Sequence, residues 1–147
     1  MYLDSAYIAK YYVNERDANA VRKLIAQAPH ICSSAWVLAE VTCVFHRHVR
    51  EGFLSVAQGR ELASVFLTHA EAGFWNLAPI TNALIRRTAA LVRGLPPNVP
   101  LRAGDAIHLA TALDAGETEI WTNDRHLLAA TAHVGLNGRT VAEFSAT

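Results

Sequence analysis

The chain has 147 residues, a length that favours one domain, residues 1–147, with a core of its own. Hydrophobic residues make up 52% and charged residues 18%, which excludes a disordered chain, and no apolar run reaches the roughly 18 residues of a membrane-spanning helix. The formal net charge is zero, so attraction for nucleic acid would have to come from a local cluster of cations and not from a global field.

In chain order, residues 2–4 read as a short strand, and Ser5 to about Asn14 as a helix with Tyr7, Tyr11 and Tyr12. Asp4 and Lys10 fall where a signal peptide would need its apolar core, so a cytoplasmic protein is expected. The segment ERDANAVRKLIAQA has Ala18, Val21, Leu24, Ile25 and Ala28 at helical spacing. HICS is a strand. Ser33 or Ser34 caps a long helix to about Arg50, and Gly52 stops it. A helix over LSVAQGRELASVFLTHAEA, a strand at FWNLAP and a helix over Thr81–Arg93 follow. The loop GLPPNVPLRAG leads into the helix AGDAIHLATALDAG, then a strand at EIWT, a helix at DRHLLAATA and a last strand at HVGLN. Cys32 and Cys43 form no CxxC pair and read as two buried thiols.

Short apolar strands alternating with amphipathic helices predict an α/β fold with a mostly parallel sheet. In such sheets ligands bind beyond the carboxyl ends of the strands. That draws attention to Asp4, at the end of the first strand, and to Asp124, two residues after EIWT. Glu40 is the only formally charged residue between Leu24 and Phe45, and its helical neighbours Trp36, Val37, Cys43 and Val44 are largely apolar. A carboxylate on such a face needs a partner. Asp105 opens the helix after the Pro/Gly-rich loop.

Each acid also has a structural role open to it. Asp4, Asp105 and Asp124 stand where acids cap helices, and Glu40 could pair with a distant arginine. Together, four clustered carboxylates would repel unless a cation joins them, and an all-oxygen set favours Mg²⁺ or Mn²⁺. Zinc is disfavoured because the histidines do not pair usefully: His46 and His48 face different ways. His108 shares a face with Asp105 and reads as a supporting or packing residue.

The segments YLDSAYIAKYY, SSAWVLAEV, LRAGDAIHLATAL and WTNDRHL resemble, in order, the four acidic motifs of PIN domains, and most closely those of VapC-type toxins of toxin–antitoxin pairs. The resemblance runs from residue 2 to about 136. It implies a three-layer α/β/α sandwich around a central, mainly parallel sheet of four to five strands, and a metal-dependent ribonuclease. Carried over by position, the four acids are Asp4, Glu40, Asp105 and Asp124, catalytic and metal-binding. Thr122 and Ser5 match the polar residues that support them, and Asn123 sits in the last motif as a further supporting residue, at a position where the residue type varies. The implied cofactor is Mg²⁺ or Mn²⁺, and the implied partners are an RNA substrate and a cognate antitoxin protein.

Phosphate contact requires cations. Arg102 and Arg125 lie beside the acids in sequence, and Arg86, Arg87 and Arg93 share one helix. The helices over 5–28 and 34–71 carry an excess of apolar and aromatic residues, which suits a homodimer contact or a groove for a partner helix. An aspartyl-nucleophile phosphatase is the competing enzyme, but Ala6 stands where its second acid belongs. A PIN-like binding module without catalysis would be expected to lack acids, and all four are present.

Overall fold

The computed structural model describes residues 1–144. Its elements are β1 (Tyr2–Leu3), α1 (Ser5–Tyr12), α2 (Ala18–Gln27), β2 (Ser33–Ser34), α3 (Val37–Arg50), α4 (Val56–Glu71), β3 (Leu77–Ala78), α5 (Asn82–Gly94), α6 (Ala103–Asp114), β4 (Glu119–Trp121), α7 (Arg125–Thr131), β5 (Asn137–Arg139) and α8 (Val141–Phe144). The last strand thus starts on the final residue of HVGLN, Asn137, and runs on to Arg139. β1 is brief because a helix cap follows it: the Asp4 side chain accepts from Tyr7 N at 2.9 Å and starts α1 directly after the strand.

β1 pairs in parallel with β4, β4 with β5, and β2 with β3. A parallel bridge from Tyr2 to Cys32 joins the two sets, giving the order β3-β2-β1-β4-β5. The chain moves outward from β1 in both directions, so the switch of strand order opens a crevice at its carboxyl end.

Alternation along the strands separates two cores. Leu3 and its register partner Trp121 face a core with Ile8, Val21, Val41, Phe45, Phe66 and Trp75 from the α1–α4 side. Tyr2 and its partner Ile120 face the opposite core, with Leu109 of α6 and Leu127 of α7. This is the expected three-layer α/β/α sandwich. Tyr7, Phe45 and Phe66 are core, whereas Phe53 and Val56, at the turn between α3 and α4, stay exposed.

One thiol departs from expectation. Cys32 is buried, but Cys43 is exposed. The buried residues of α3 are Val37, Val41, Phe45 and His48, a stripe at helical spacing, and Cys43 is two positions from Val41 on the outward face. Its apolar sequence neighbours do not share its side of the helix.

Candidate active site at the carboxyl end of the sheet

Four elements deliver the four acids. Asp4 follows β1 and caps α1. Glu40 lies in the first turn of α3, Asp105 in the first turn of α6, and Asp124 caps α7. The capping roles are present. Asp124 Oδ1 accepts from His126 N at 2.7 Å and Leu127 N at 3.1 Å, and Asp105 Oδ2 accepts from Arg102 N at 3.4 Å. A cap uses one edge of a carboxylate and leaves other lone pairs available.

Asp4 is 4% exposed. Burial pushes its carboxyl up to about 6 from an ordinary 3.8, and the charge of Glu40 adds to the rise, against hydrogen bonds from Thr122 and Tyr7 N. Asp105 is raised too, first by burial and then by the charge of Asp124. The acids therefore act on each other in pairs. Among the described residues no three of them bring oxygens all within 4.8 Å of one another, a spacing that mutual repulsion favours.

Thr122 is the link between the first acid and the last. Its hydroxyl donates to Asp4 Oδ2 and accepts from Asp124 N at 2.9 Å. Ser5 lies close enough to Glu40 to favour its ionised form. Asn123 is exposed, and its Oδ1 accepts from Tyr7 Oη at 2.9 Å. Tyr7 Oη in turn accepts from Val141 N at 2.9 Å, which ties the Asn123 loop to α8.

The partner of Glu40 is a histidine, not an arginine. His108 Nε2 lies 2.8 Å from Glu40 Oε2, and His108 Nδ1 lies 2.8 Å from Tyr2 Oη. An ionised carboxylate only accepts, so Nε2 donates to Glu40, while Nδ1 faces the Tyr2 hydroxyl and its proton. Burial raises the Tyr2 phenol far above its ordinary value, so it keeps that proton. Burial alone would raise Glu40 as well, but the His108 hydrogen bond and charge, with Ser5 and Trp36, hold it below the usual carboxylate range.

His108 on the Asp105 face of α6 was legible in the spacing; Tyr2 and Gly104 were not. A Cβ at Gly104 would come within 2.6 Å of Glu40 Oε1 and 3.1 Å of Trp36 Nε1. The missing side chain is what lets the start of α6 approach Glu40. Arg102 and Arg125 are exposed beside Asp105 and Asp124, and the Arg102 charge acts on Asp105. Arg87 pairs with Asp114 at the opposite end of α6, and Arg86 and Arg93 are exposed on α5.

An all-oxygen set of acids, two of them held above their ordinary ionisation, suits a hard divalent cation better than zinc. No helix is long and apolar enough to cross a membrane among the described residues.

No curated protein matches the sequence. Among solved structures the chain is similar to Mycobacterium tuberculosis VapC20, described as a sarcin-ricin loop cleaving toxin. The TM-score is 0.73 at 16% identity, over 88% of this chain and 93% of that one. The model of the PIN domain family matches residues 1–133, a span that contains all four acids, and the chain belongs to that family.

Proposed function

We propose that the protein is a metal-dependent endoribonuclease, the toxin of a toxin–antitoxin pair, which hydrolyses RNA phosphodiester bonds at Asp4, Glu40, Asp105 and Asp124. The observation that carries this reading is the delivery of these acids by four separate elements to the carboxyl end of a parallel sheet, with like charges acting across two pairs. Asp4, Asp105 and Asp124, with Glu40 directly or through water, would hold Mg²⁺ or Mn²⁺. Bound there, the cation would acidify the attacking water and neutralise charge developing on the phosphate.

The rest falls to side chains. Glu40, kept ionised by His108, orients the water and accepts its proton. Thr122 and Ser5 fix the carboxylates. Arg102 and Arg125 meet the RNA backbone beside the acids, a local answer to zero net charge. VapC20 is described as cleaving the sarcin-ricin loop, and an RNA loop is a fitting substrate class here, because unstacked bases and a bent backbone are open to side-chain contact. The partners in this reading are a cognate antitoxin and a second copy of the chain, and the setting is the cytoplasm.

The test is cleavage of total RNA by purified protein with Mg²⁺ or Mn²⁺, with EDTA, and by Asp4→Asn and Asp105→Asn. We expect cutting at discrete sites that EDTA abolishes and both folded variants lose by on the order of a hundredfold or more. Equal cutting by the variants would sink the assignment.

A further inference from the structure

A second cluster of ligand-type side chains lies at the amino ends of the strands, across the sheet from the acids. Cys32 sits in the ladder just before β2, its N donating to Met1 O at 3.0 Å and its O accepting from Leu3 N at 3.1 Å. Glu117 lies just before β4. Gly116, with φ of 71°, ends α6 in a left-handed turn, and Glu117 N donates back to Ala112 O at 3.0 Å. His30 precedes β2, and its backbone oxygen accepts from the Met1 amine at 3.2 Å. Two segments distant in sequence, 30–32 and the turn at 117, thus bring a ring nitrogen, a sulfur and a carboxylate together, with ligand atoms all within 4.8 Å of one another.

We propose that His30, Cys32 and Glu117 form a binding site for a borderline-soft divalent cation of the zinc class, separate from the four acids. The distances suit it. A tetrahedral zinc ion holds sulfur and carboxylate oxygen about 3.5 Å apart and nitrogen and oxygen about 3.3 Å apart. Here Cys32 Sγ lies 3.1 Å from Glu117 Oε1, and His30 Nε2 lies 3.9 Å from the same oxygen. The Met1 amine pairs with the other oxygen, Oε2, at 2.9 Å, so Oε1 is available to a cation without breaking that pair. Cys32 is 4% exposed, which keeps the sulfur fixed, while the His30 side chain is 57% exposed and can close over the ion. The fourth position is left to water.

The ligand types separate this site from the acids. Thiolate and imidazole select zinc-class ions, whereas an all-carboxylate set favours Mg²⁺ or Mn²⁺. Without a cation, burial and then the Glu117 carboxylate push the Cys32 thiol up to about 12, so it is no free nucleophile. Binding replaces the thiol proton, which passes to solvent, and needs no oxidant. A bound ion would tie the starts of β2 and β4 together beneath β1.

The test is titration of the full chain with Co²⁺, followed by the sulfur-to-cobalt charge-transfer band in the near ultraviolet. Wild type and Cys43→Ala should show the band and Cys32→Ser should lose it. His30→Ala and Glu117→Gln should weaken binding by about tenfold or more. His30 is largely exposed, so its variant remains informative if Cys32→Ser folds poorly. Cobalt held by the acids alone gives no such band. No band in wild type, a band that survives Cys32→Ser, or affinity unchanged in both His30→Ala and Glu117→Gln would overturn the proposal.

Discussion

The two ends of the sheet carry opposite chemistry on the same backbone. At the carboxyl end four carboxylates gather, Asp4, Asp105 and Asp124 at helix starts and Glu40 against His108. At the amino end nitrogen, sulfur and oxygen meet, held by a strand ladder and a glycine turn. Helix N-termini supply backbone N–H groups that position anions, so acids collect where α1, α6 and α7 begin. At the other end of β1, α6 ends instead of beginning, and Cys32 is positioned by the strand ladder and Glu117 by the Gly116 turn. The difference teaches that the kind of site a parallel sheet can build depends on which end of its helices faces the cleft.

After the four acids themselves, the largest effect expected at the carboxyl end is that of His108→Ala. It removes the support of Glu40 and the ring nitrogen that faces the buried Tyr2 hydroxyl. We expect cleavage to fall by about ten- to a hundredfold and stability by about 1–3 kcal/mol, read by RNA cleavage and denaturant titration. The cobalt band at the amino end should stay.

Gly104→Ala comes next and splits activity from stability. The added methyl meets the far end of a flexible side chain, so the Glu40 carboxylate is displaced and the helix is kept. We expect cleavage to fall about tenfold, while the unfolding free energy stays level or rises by about 0.4–1 kcal/mol, as for glycine replaced by alanine in a helix. A variant as active as wild type would mean that the position of Glu40 is not critical.

The pH response should also divide the ends. Asp4 ionises near 6 in the folded protein and near 3.8 as an ordinary carboxyl. Between those values the folded form holds the extra proton. The contribution of Asp4 to stability is therefore present at low pH and declines as pH rises from about 4 to about 6. Mg²⁺ binding runs the other way, because it needs the ionised acid. Stabilisation by Mg²⁺ in thermal melts should be several-fold weaker at about pH 5 than at about pH 8. Equal stabilisation at both would contradict the place of Asp4 among the ligands.

The smallest effect is that of Arg125→Ala. It should weaken RNA binding across sequences and reduce the slope of log affinity against log salt by about one, measured with an uncleavable RNA.

The acids were legible in the sequence because each breaks a local pattern. Asp4 ends an apolar strand, Glu40 interrupts an apolar helix face, and Asp105 and Asp124 open helices. The residues that support them break nothing locally. Tyr2 looks like any core aromatic, and only the fold brings it to His108. Gly104 looks like a loop glycine, and its reason is Glu40, distant in sequence. Cys43 misled because burial follows the helix face and not the immediate neighbours. His30, Cys32 and Glu117 share no motif, and it is parallel pairing of β1 with both β2 and β4 that joins them.

The hydroxyl of Thr122 has a consequence for synthesis. It joins Asp4 to the Asp124 loop across 118 positions of the chain. On a ribosome the first acid emerges at the start and its partner near the end. Domains form as their parts emerge, so Asp4 waits, capping α1, until β4 docks beside β1. A site built this way stays incomplete until nearly all of the chain has been translated.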